Sequence, residues 1–219
     1  MGTVHELAEL LSSPLFTVAG TPVTWLETLA FVTGVANVWL LTRQHPANWP
    51  VGLVSVALYL LVFTGAGLYG DAALQLVYIV LSGYGWWAWV RRGPAGAGDQ
   101  LRVSRTSRRT WWVLAGAGVL GTAALTWYLD AQTNSTVPFW DALTTAGSLL
   151  AIYGQTRKLV ESWWLWIAVD VVYVPLYASR DLWLTAGLYL VFMALCVVGL
   201  RAWSRELASP VAPTPAGVD

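Results

Sequence analysis

The sequence predicts an all-α polytopic membrane protein, whose seven transmembrane helices form a 3+1+3 parallel repeat. Three observations carry this prediction: an apolar composition, a one-sided distribution of basic residues, and an internal repeat of three spans. Of the 219 residues, 57% are hydrophobic and 11% are charged, whereas a soluble domain has about 25% charged residues. The 15 tryptophans agree with aromatic belts at two membrane interfaces.

Seven apolar runs are long enough to cross a hydrocarbon layer of about 30 Å as helices. Helices are expected because each such segment satisfies its own backbone hydrogen bonds, and the alternating pattern of barrel strands is absent. The predicted spans are Trp25–Thr42, Trp49–Gly65, Ala72–Val90, Trp111–Leu129, Phe139–Thr156, Trp163–Ala178 and Leu182–Leu200.

The segments between and around these spans complete the predicted organisation. Residues 5–11 have the pattern of an amphipathic helix on the membrane surface. In chain order, the predicted units are an N-terminal segment with that interfacial helix (1–21), a first three-helix repeat (22–92), a basic cytoplasmic linker (93–110), a linker transmembrane helix (111–130), a second three-helix repeat (136–206) and a disordered tail (207–219).

The basic residues fall almost entirely on one side of the predicted spans. Eleven of the twelve lysines and arginines follow spans one, three, five or seven, and the twelfth is Arg180. The positive-inside rule therefore predicts an N-terminus outside the membrane and a cytoplasmic C-terminus. A missed or an added span would scramble this distribution, so it also supports the number of spans.

At a shift of 114 residues, the first three spans align with the last three without a gap. Trp49 then aligns with Trp163, and Gly85 aligns with Gly199. Three spans reverse the direction of the chain and the unmatched fourth span restores it, so the two units have the same orientation. Transporters built from parallel repeats hold their substrate near the membrane midplane between the repeats.

Asp170 is the residue around which we predict a functional site. It lies in the centre of the sixth span, where insertion scales make an aspartate unfavourable by about 2.5–3.5 kcal/mol. An internal partner, a water-filled cavity or a cationic ligand must offset that cost. The repeat places Val56 at the equivalent position, so the fold itself does not require the acid.

Other polar and aromatic residues accompany Asp170 at helical spacing. Span six places two tryptophans and a tyrosine on the face of the aspartate, span five has a polar stripe that ends at Ser148, and span three has a glutamine and a tyrosine three residues apart. The predicted substrate contacts are Asn48, Gln75, Tyr78, Asp141, Thr144, Thr145, Trp163, Trp166, Asp170 and Tyr173.

Some of these residues also have a purely structural interpretation. A tryptophan near the end of a span, such as Trp163, is commonly an interface anchor. Asp141 follows Pro138 and fits an acid at the start of a helix, and Gln75 fits an interhelical hydrogen bond.

The sequence does not favour an enzyme. It shows no nucleophile–base constellation, no glycine-rich phosphate loop and no metal-ligand spacing, and it contains two histidines and one cysteine. We therefore expect no catalytic activity, no cofactor, no metal site and no nucleic-acid partner.

Five motifs are the most specific pattern in the chain. They are Asn48-Trp-Pro-Val-Gly-Leu-Val-Ser-x-x-Leu-Tyr59, Leu68-Tyr-Gly-Asp-x-x-Leu-Gln75-x-x-Tyr78, Tyr84-Gly-Trp-Trp-x-Trp89, Asp141-Ala-Leu-Thr-Thr145 and Glu161-Ser-Trp-x-x-Trp166-x-x-x-Asp170. In order and spacing, over about Thr24–Trp203, the sequence resembles the PnuC family of bacterial vitamin transporters. The resemblance implies a SWEET-like fold, a homotrimer in the bacterial inner membrane, and facilitated diffusion of nicotinamide riboside that a cytoplasmic kinase then traps.

The chemistry of the candidate residues fits such a substrate, and it leaves alternatives open. Nicotinamide riboside is a cationic pyridinium, and an aromatic face stabilises a desolvated cation by about 1–2 kcal/mol. The resemblance associates the Trp-x-x-Trp element of Trp163 and Trp166 with the nicotinamide riboside branch. Thiamine is also cationic and stays an alternative, whereas neutral riboflavin gains nothing from Asp170. A non-transporting membrane receptor or assembly subunit is the alternative from another class.

Overall fold

The computed structural model of the chain describes residues 10–18, 20–65, 69–91, 102–133, 137–179 and 183–209. Within these residues, a two-stranded hairpin precedes seven long helices. The strands are β1 (Pro14–Val18) and β2 (Thr21–Thr24). The helices are α1 (Trp25–Thr42), α2 (Asn48–Gly65), α3 (Tyr69–Arg91), α4 (Arg108–Gln132), α5 (Pro138–Thr156), α6 (Ser162–Ala178) and α7 (Trp183–Ala208).

Each predicted span coincides with one of these helices, and the ends differ by a few residues. The largest difference is in α7, which continues to Ala208 and so includes the first two residues of the predicted tail. Within the described residues, α1, α3, α4 and α7 are long and apolar enough to cross a membrane, while α2 and α6 are apolar but shorter. The chain is therefore mostly helical, and a crossing by all seven helices stays a prediction.

The prediction of an all-α chain is wrong at the β-hairpin. The two strands pair antiparallel with Val18 opposite Thr21, and Gly20 between them has a φ of 86°, a conformation that glycine adopts readily. The threonine, valine and phenylalanine residues here favour strands. The segment is shorter than a membrane span, so it was not identified among the long apolar runs. Residues 10–12 are helical, and residues 5–9 of the predicted interfacial helix lie outside the described part.

The hairpin leads without a linker into α1. Thr24 caps this helix by accepting a hydrogen bond from the Glu27 N–H, and the Glu27 carboxylate accepts one from the Thr24 N–H at 2.7 Å. This reciprocal capping box fixes the direction in which α1 leaves the hairpin.

Six helices form a ring, and α4 lies beside it. Around the ring, α1 contacts α2, α2 contacts α3, α3 contacts α5, α5 contacts α6, α6 contacts α7, and α7 contacts α1, while α4 contacts α5. We call the end with the α1–α2 and α5–α6 loops the basic end, and the opposite end the hairpin end. Large apolar side chains of α4 are exposed, Trp112 and Leu120 each to 72%, as expected of a helix that faces lipid.

Tryptophan pairs of matching geometry lie at the basic end of the ring. Trp49 and Trp89 meet edge to face, with ring centroids 5.4 Å apart and an interplanar angle of 84°. Trp163 and Trp203, each 114 residues later, have a centroid distance of 5.3 Å and an angle of 85°. We call α1–α3 the first half of the ring and α5–α7 the second half. The aligned residues therefore pack in the same way in both halves.

The loops at the basic end match in the same way. Gln44 and Lys158 have left-handed φ angles of 54° and 52°, and they are the non-glycine residues with positive φ among those described. Just before them, the hydroxyls of Thr42 and Thr156 each donate to the carbonyl three residues earlier, at 2.7 Å in both cases. Each helix thus turns into its loop through the same local bonds.

The described part of the predicted basic linker, residues 102–107, is ordered against the basic end. The Ser104 N–H donates to the Lys158 carbonyl at 3.1 Å, in an isolated parallel β-bridge. The Thr106 N–H and hydroxyl donate to the Glu161 carboxylate at 2.9 and 2.8 Å. This segment therefore packs with the α5–α6 loop, and the rest of the predicted linker before it lies outside the described residues.

Candidate functional site

A cavity of about 170 Å³ lies inside the ring, with walls from all six ring helices. None of its described lining residues belongs to α4. Most lining positions occur in pairs separated by 114 residues, so the cavity lies between two structurally equivalent walls. The pairs whose chemistry matters most are Gly34/Ser148, Leu41/Gln155, Gly52/Trp166, Val56/Asp170, Gln75/Tyr189 and Ser82/Cys196.

Asp170 is the acidic residue of this cavity. It lies halfway along α6, is 2% exposed, and accepts a hydrogen bond from the Cys196 thiol with 3.8 Å between Sγ and Oδ2. A thiol is a weak donor, and no lysine, arginine or histidine is among the described lining residues. An ionised carboxylate buried without a cation costs several kcal/mol. The cavity is therefore suited to a ligand that brings a positive charge.

Trp166 provides an aromatic surface one helical turn before Asp170. It is half-buried, lines the cavity, and its indole Nε1 has no hydrogen-bond partner among the described residues. The equivalent residue in α2 is Gly52, and the equivalent of the acid is Val56. The second half of the ring therefore carries both the aromatic face and the charge, and the first half carries neither at these positions.

Trp163 and Asn48 line the cavity near the basic end, and both have packing roles as well. Trp163 is 0% exposed and packs edge-on against the second tryptophan of its half. The Asn48 Nδ2 donates to the His45 carbonyl at 2.8 Å, and the equivalent Ser162 hydroxyl donates to the Leu159 carbonyl at 2.7 Å. Both residues thus also help to build the repeated fold.

The predicted polar face of α3 lines the same cavity. Gln75, Tyr78 and Ser82 are among its lining residues, with Gln75 8% and Ser82 6% exposed. Together with Tyr173 on α6, they place hydrogen-bonding groups around the cavity from both halves.

The polar stripe of α5 divides between two surfaces. Ser148 lines the central cavity, and its Oγ has no hydrogen-bond partner among the described residues. Thr144 lines a different groove, between α4, α5 and α6, and its hydroxyl donates to the Trp140 carbonyl at 2.9 Å. Asp141 and Thr145 do not line the central cavity. The stripe divides because α4 packs against the side of α5 that carries Thr144. The other seven predicted substrate contacts all line the central cavity.

The cavity is also lined by residues that were not predicted from the sequence. Gln155 is 6% exposed and lies two helical turns after Ser148, so a longer stripe would have included it. Asn37 is the lone amide in the apolar run of α1. Tyr189 is the partner of Gln75 under the 114-residue shift, so the internal repeat already relates it to a predicted site residue.

Aromatic residues surround the cavity towards the hairpin end. Tyr173, Tyr177 and Tyr189 are in mutual contact, with the centroid of the Tyr189 ring 4.7 Å from that of Tyr173 and 5.2 Å from that of Tyr177. On the other wall, Tyr59 stacks on Phe63 at 5.5 Å. These rings line the cavity with aromatic surface on both walls.

A smaller cavity of about 60 Å³ lies at the hairpin end. Its lining includes Pro22 from the hairpin and Glu27 from the start of α1. Tyr59 and Phe63 line both this cavity and the central one. These side chains therefore stand between the centre of the ring and the hairpin end.

Comparison with known proteins gives matches in both sequence and structure. The family described as "Nicotinamide mononucleotide transporter" matches residues 24–205. The riboflavin/roseoflavin transporter RibM of Streptomyces davaonensis is 29% identical over 92% of this chain and 96% of its own. The nicotinamide riboside transporter PnuC of Neisseria mucosa is 27% identical over 84% and 73%, and that of Escherichia coli is 24% identical over 87% and 90%. A crystal structure of the vitamin B3 transporter PnuC has a TM-score of 0.71, with 26% identity over 84% of this chain and 82% of that one.

Proposed function

Because this chain belongs to the nicotinamide mononucleotide transporter family, a PnuC family of membrane transporters for vitamins, we propose that it takes up nicotinamide riboside by facilitated diffusion. The observation that carries this proposal is the cavity inside the helix ring, where a buried carboxylate and an aromatic face lie together. A cationic aromatic vitamin complements both features. No ion gradient or nucleotide enters the proposed mechanism.

The proposed architecture is seven transmembrane helices in a 3+1+3 parallel repeat. In this arrangement α1–α3 and α5–α7 are the two units, and α4 restores the direction of the chain between them. The matched tryptophan pairs, the matched left-handed loop residues and the paired lining of the cavity support it. Transport then occurs as one unit rocks against the other around a fixed site.

Within the site, we propose a role for each residue from its chemistry and from the difference between the two walls, of which only the second carries an acid and a tryptophan at these positions. Asp170 offsets the positive charge of the pyridinium, and Trp166 stacks on its ring. Gln75, Tyr78 and Tyr173 hydrogen-bond the carboxamide and the ribose hydroxyls. Trp163 and Asn48 shape the basic end of the site, where both are packed. Because they do not line the cavity, Asp141, Thr144 and Thr145 have no role in this proposal.

The proposed location is the bacterial inner membrane, with the hairpin end outside and the basic end in the cytoplasm. The eleven basic residues on one side support this orientation. We further propose a homotrimer, as the family resemblance implies, and a cytoplasmic vitamin kinase that traps the substrate by phosphorylation. A phosphate group adds negative charge, and Asp170 disfavours it in the cavity.

Riboflavin is a second candidate substrate, since the relative RibM is a riboflavin/roseoflavin transporter with 29% identity over most of both chains. The tyrosines and tryptophans that line the cavity can stack on a flavin as well as on a pyridinium. Riboflavin is uncharged, however, and leaves the Asp170 carboxylate without a counter-charge. Thiamine, which is cationic, satisfies the carboxylate and is a third candidate.

A binding panel separates these candidates. Nicotinamide riboside is expected to bind purified protein at least about tenfold more tightly than riboflavin, because its pyridinium supplies the counter-charge to Asp170 that a neutral flavin lacks. Calorimetric titration of the three vitamins measures this directly. Tighter binding of thiamine, which is also cationic, would make thiamine the substrate. Tighter binding of riboflavin would indicate that this chain has the substrate of RibM.

Counterflow tests the transport mode. Proteoliposomes loaded with unlabelled nicotinamide riboside are expected to accumulate labelled vitamin from outside transiently, with no proton or sodium gradient, because exchange through an alternating site needs no coupled ion. Protein-free liposomes are the control. Uptake that requires an imposed ion gradient would contradict facilitated diffusion, and absence of any flux alongside vitamin binding would favour a receptor.

A further inference from the structure

Two loops that the 114-residue shift relates meet at the basic end. The Lys158 Nζ donates a hydrogen bond to the Gln44 Oε1 at 2.9 Å. The Gln44 Nε2 in turn donates to the Glu206 carboxylate near the end of α7. The Lys158 ammonium also lies 4.6 Å from the centre of the Trp89 ring, on α3. These contacts join the first half of the ring to the second at its basic end.

The backbone at this contact is held in an uncommon conformation. Gln44 and Lys158 have φ angles of 54° and 52°, a region in which glycine is the unstrained residue. At both positions the left-handed residue ends a helix, since the N–H groups of His45 and Leu159 donate to the carbonyls of Leu40 and Gly154 at 3.0 and 2.8 Å. The loops carry long polar side chains where glycine is the commonest residue. Burial lowers the pKa of the Lys158 ammonium, and the nearby Glu206 carboxylate opposes that shift.

A buried apolar cluster lies at the basic end of the central cavity, beneath this contact. Apolar side chains from both halves of the ring and from the linker segment pack together here, and four of them also line the cavity. The cluster consists of Leu41, Trp49, Trp89, Val103, Val160, Trp163, Cys196 and Trp203. Because this packing joins the two halves, separating them at the basic end would widen a path from the cavity to that end.

We propose that Gln44, Lys158 and Glu206 form the gate that holds the basic end of the transport pathway closed. The inference rests on the proposed function, because transport requires this end to open. Gln44 moves with the first half and Lys158 and Glu206 move with the second, so both hydrogen bonds break when the halves rock apart. The Lys158–Trp89 contact breaks in the same movement, since Trp89 belongs to the first half.

Reversible cross-linking of this contact tests the gate. The variant Gln44→Cys/Lys158→Cys is reconstituted in proteoliposomes and treated with a bis-methanethiosulfonate of short spacer. Cross-linking is expected to lower the flux of nicotinamide riboside by at least about tenfold, and a reductant is expected to restore it, because the halves can no longer separate. Binding to the cross-linked protein is expected to persist within about threefold, since the cavity is unchanged.

The control pair is Thr106→Cys/Glu161→Cys, which joins the linker segment to the α5–α6 loop without bridging the halves. Its cross-link is expected to leave flux unchanged, and the single-cysteine variants report on any reaction at the native Cys196. Unchanged flux in the cross-linked Gln44/Lys158 variant overturns the gate. Failure of that cross-link to form contradicts the closed contact itself.

Thiol accessibility gives a readout that does not depend on flux. In a Gln155→Cys protein, adding Lys158→Met is expected to speed labelling by an impermeant thiol reagent from the basic end by at least about threefold, because the closed state loses its bonds. Equal labelling rates overturn the gate. A protein that binds and transports no vitamin but shows faster labelling refutes the proposed function and keeps the gate.

Discussion

Asp170→Ala and Trp166→Ala are each expected to weaken nicotinamide riboside binding by more than about tenfold, since the first removes the counter-charge of a desolvated cation and the second its stacking surface. Calorimetric titration of purified protein measures both changes. Wild-type affinity in the two variants would return these residues to a purely structural role.

The stability of the Asp170 variants distinguishes a binding role from a packing role. Asp170→Asn keeps the shape of the side chain and removes the buried charge, whose unpaired burial is unfavourable in the empty cavity. The melting temperature of ligand-free protein is therefore expected to stay equal or rise while binding is lost. A packing role predicts the reverse, a lower melting temperature with unchanged binding. Asp130→Asn, at an exposed acid on α4, is the matched control and is expected to change neither quantity.

Gly85→Ala and Gly199→Ala are expected to destabilise the fold by about 1–3 kcal/mol each through overpacking. A Cβ at Gly85 lies 2.2 Å from the Trp49 ring, and one at Gly199 lies 2.4 Å from the Trp163 ring. Each indole is held edge-on by a second tryptophan, so it cannot move aside. Thermal unfolding in detergent, followed by loss of the monodisperse peak, measures the effect.

The same helices supply matched controls for these glycines. Gly83 on α3 and Gly187 on α7 have nothing within 4 Å of an added Cβ. Alanine there is expected to be neutral or stabilising by up to about 1 kcal/mol, since alanine favours a helix more than glycine does. If all four alanine variants unfold at the same temperature, close packing of the tryptophans on Gly85 and Gly199 does not stabilise the fold.

The helices were predictable from the sequence because the membrane imposes a strong length and composition rule on them. The start and end of α1, for example, coincide with the predicted Trp25–Thr42. The β-hairpin was not predicted, because its strands of five and four residues are much shorter than the apolar runs from which the helices were identified. The inclusion of Glu27 in a capping box likewise depends on where the hairpin ends.

The candidate site was predictable wherever one helix determined its own inward face. Asp170, Trp166 and Tyr173 share a face of α6, and the structure places all three on the cavity. Thr144 shows the limit of that reasoning. Its spacing from Ser148 fits one face, but which side of α5 meets the cavity and which meets α4 depends on packing between helices. The sequence of one helix does not contain that information.

The contact between Gln44 and Lys158 also bears on how such a protein can evolve. In a symmetric dimer of separate three-helix chains, both sides of the axis would carry the same residue, so a lysine would face a lysine and repel it. An unequal pair becomes possible once both units are encoded in one gene and can mutate independently. The same independence permits a single acid, at Asp170, where a symmetric ancestor would have had two acids or none. Under the proposed repeat architecture, duplication and fusion would thus allow a charged cavity to arise between two equivalent halves.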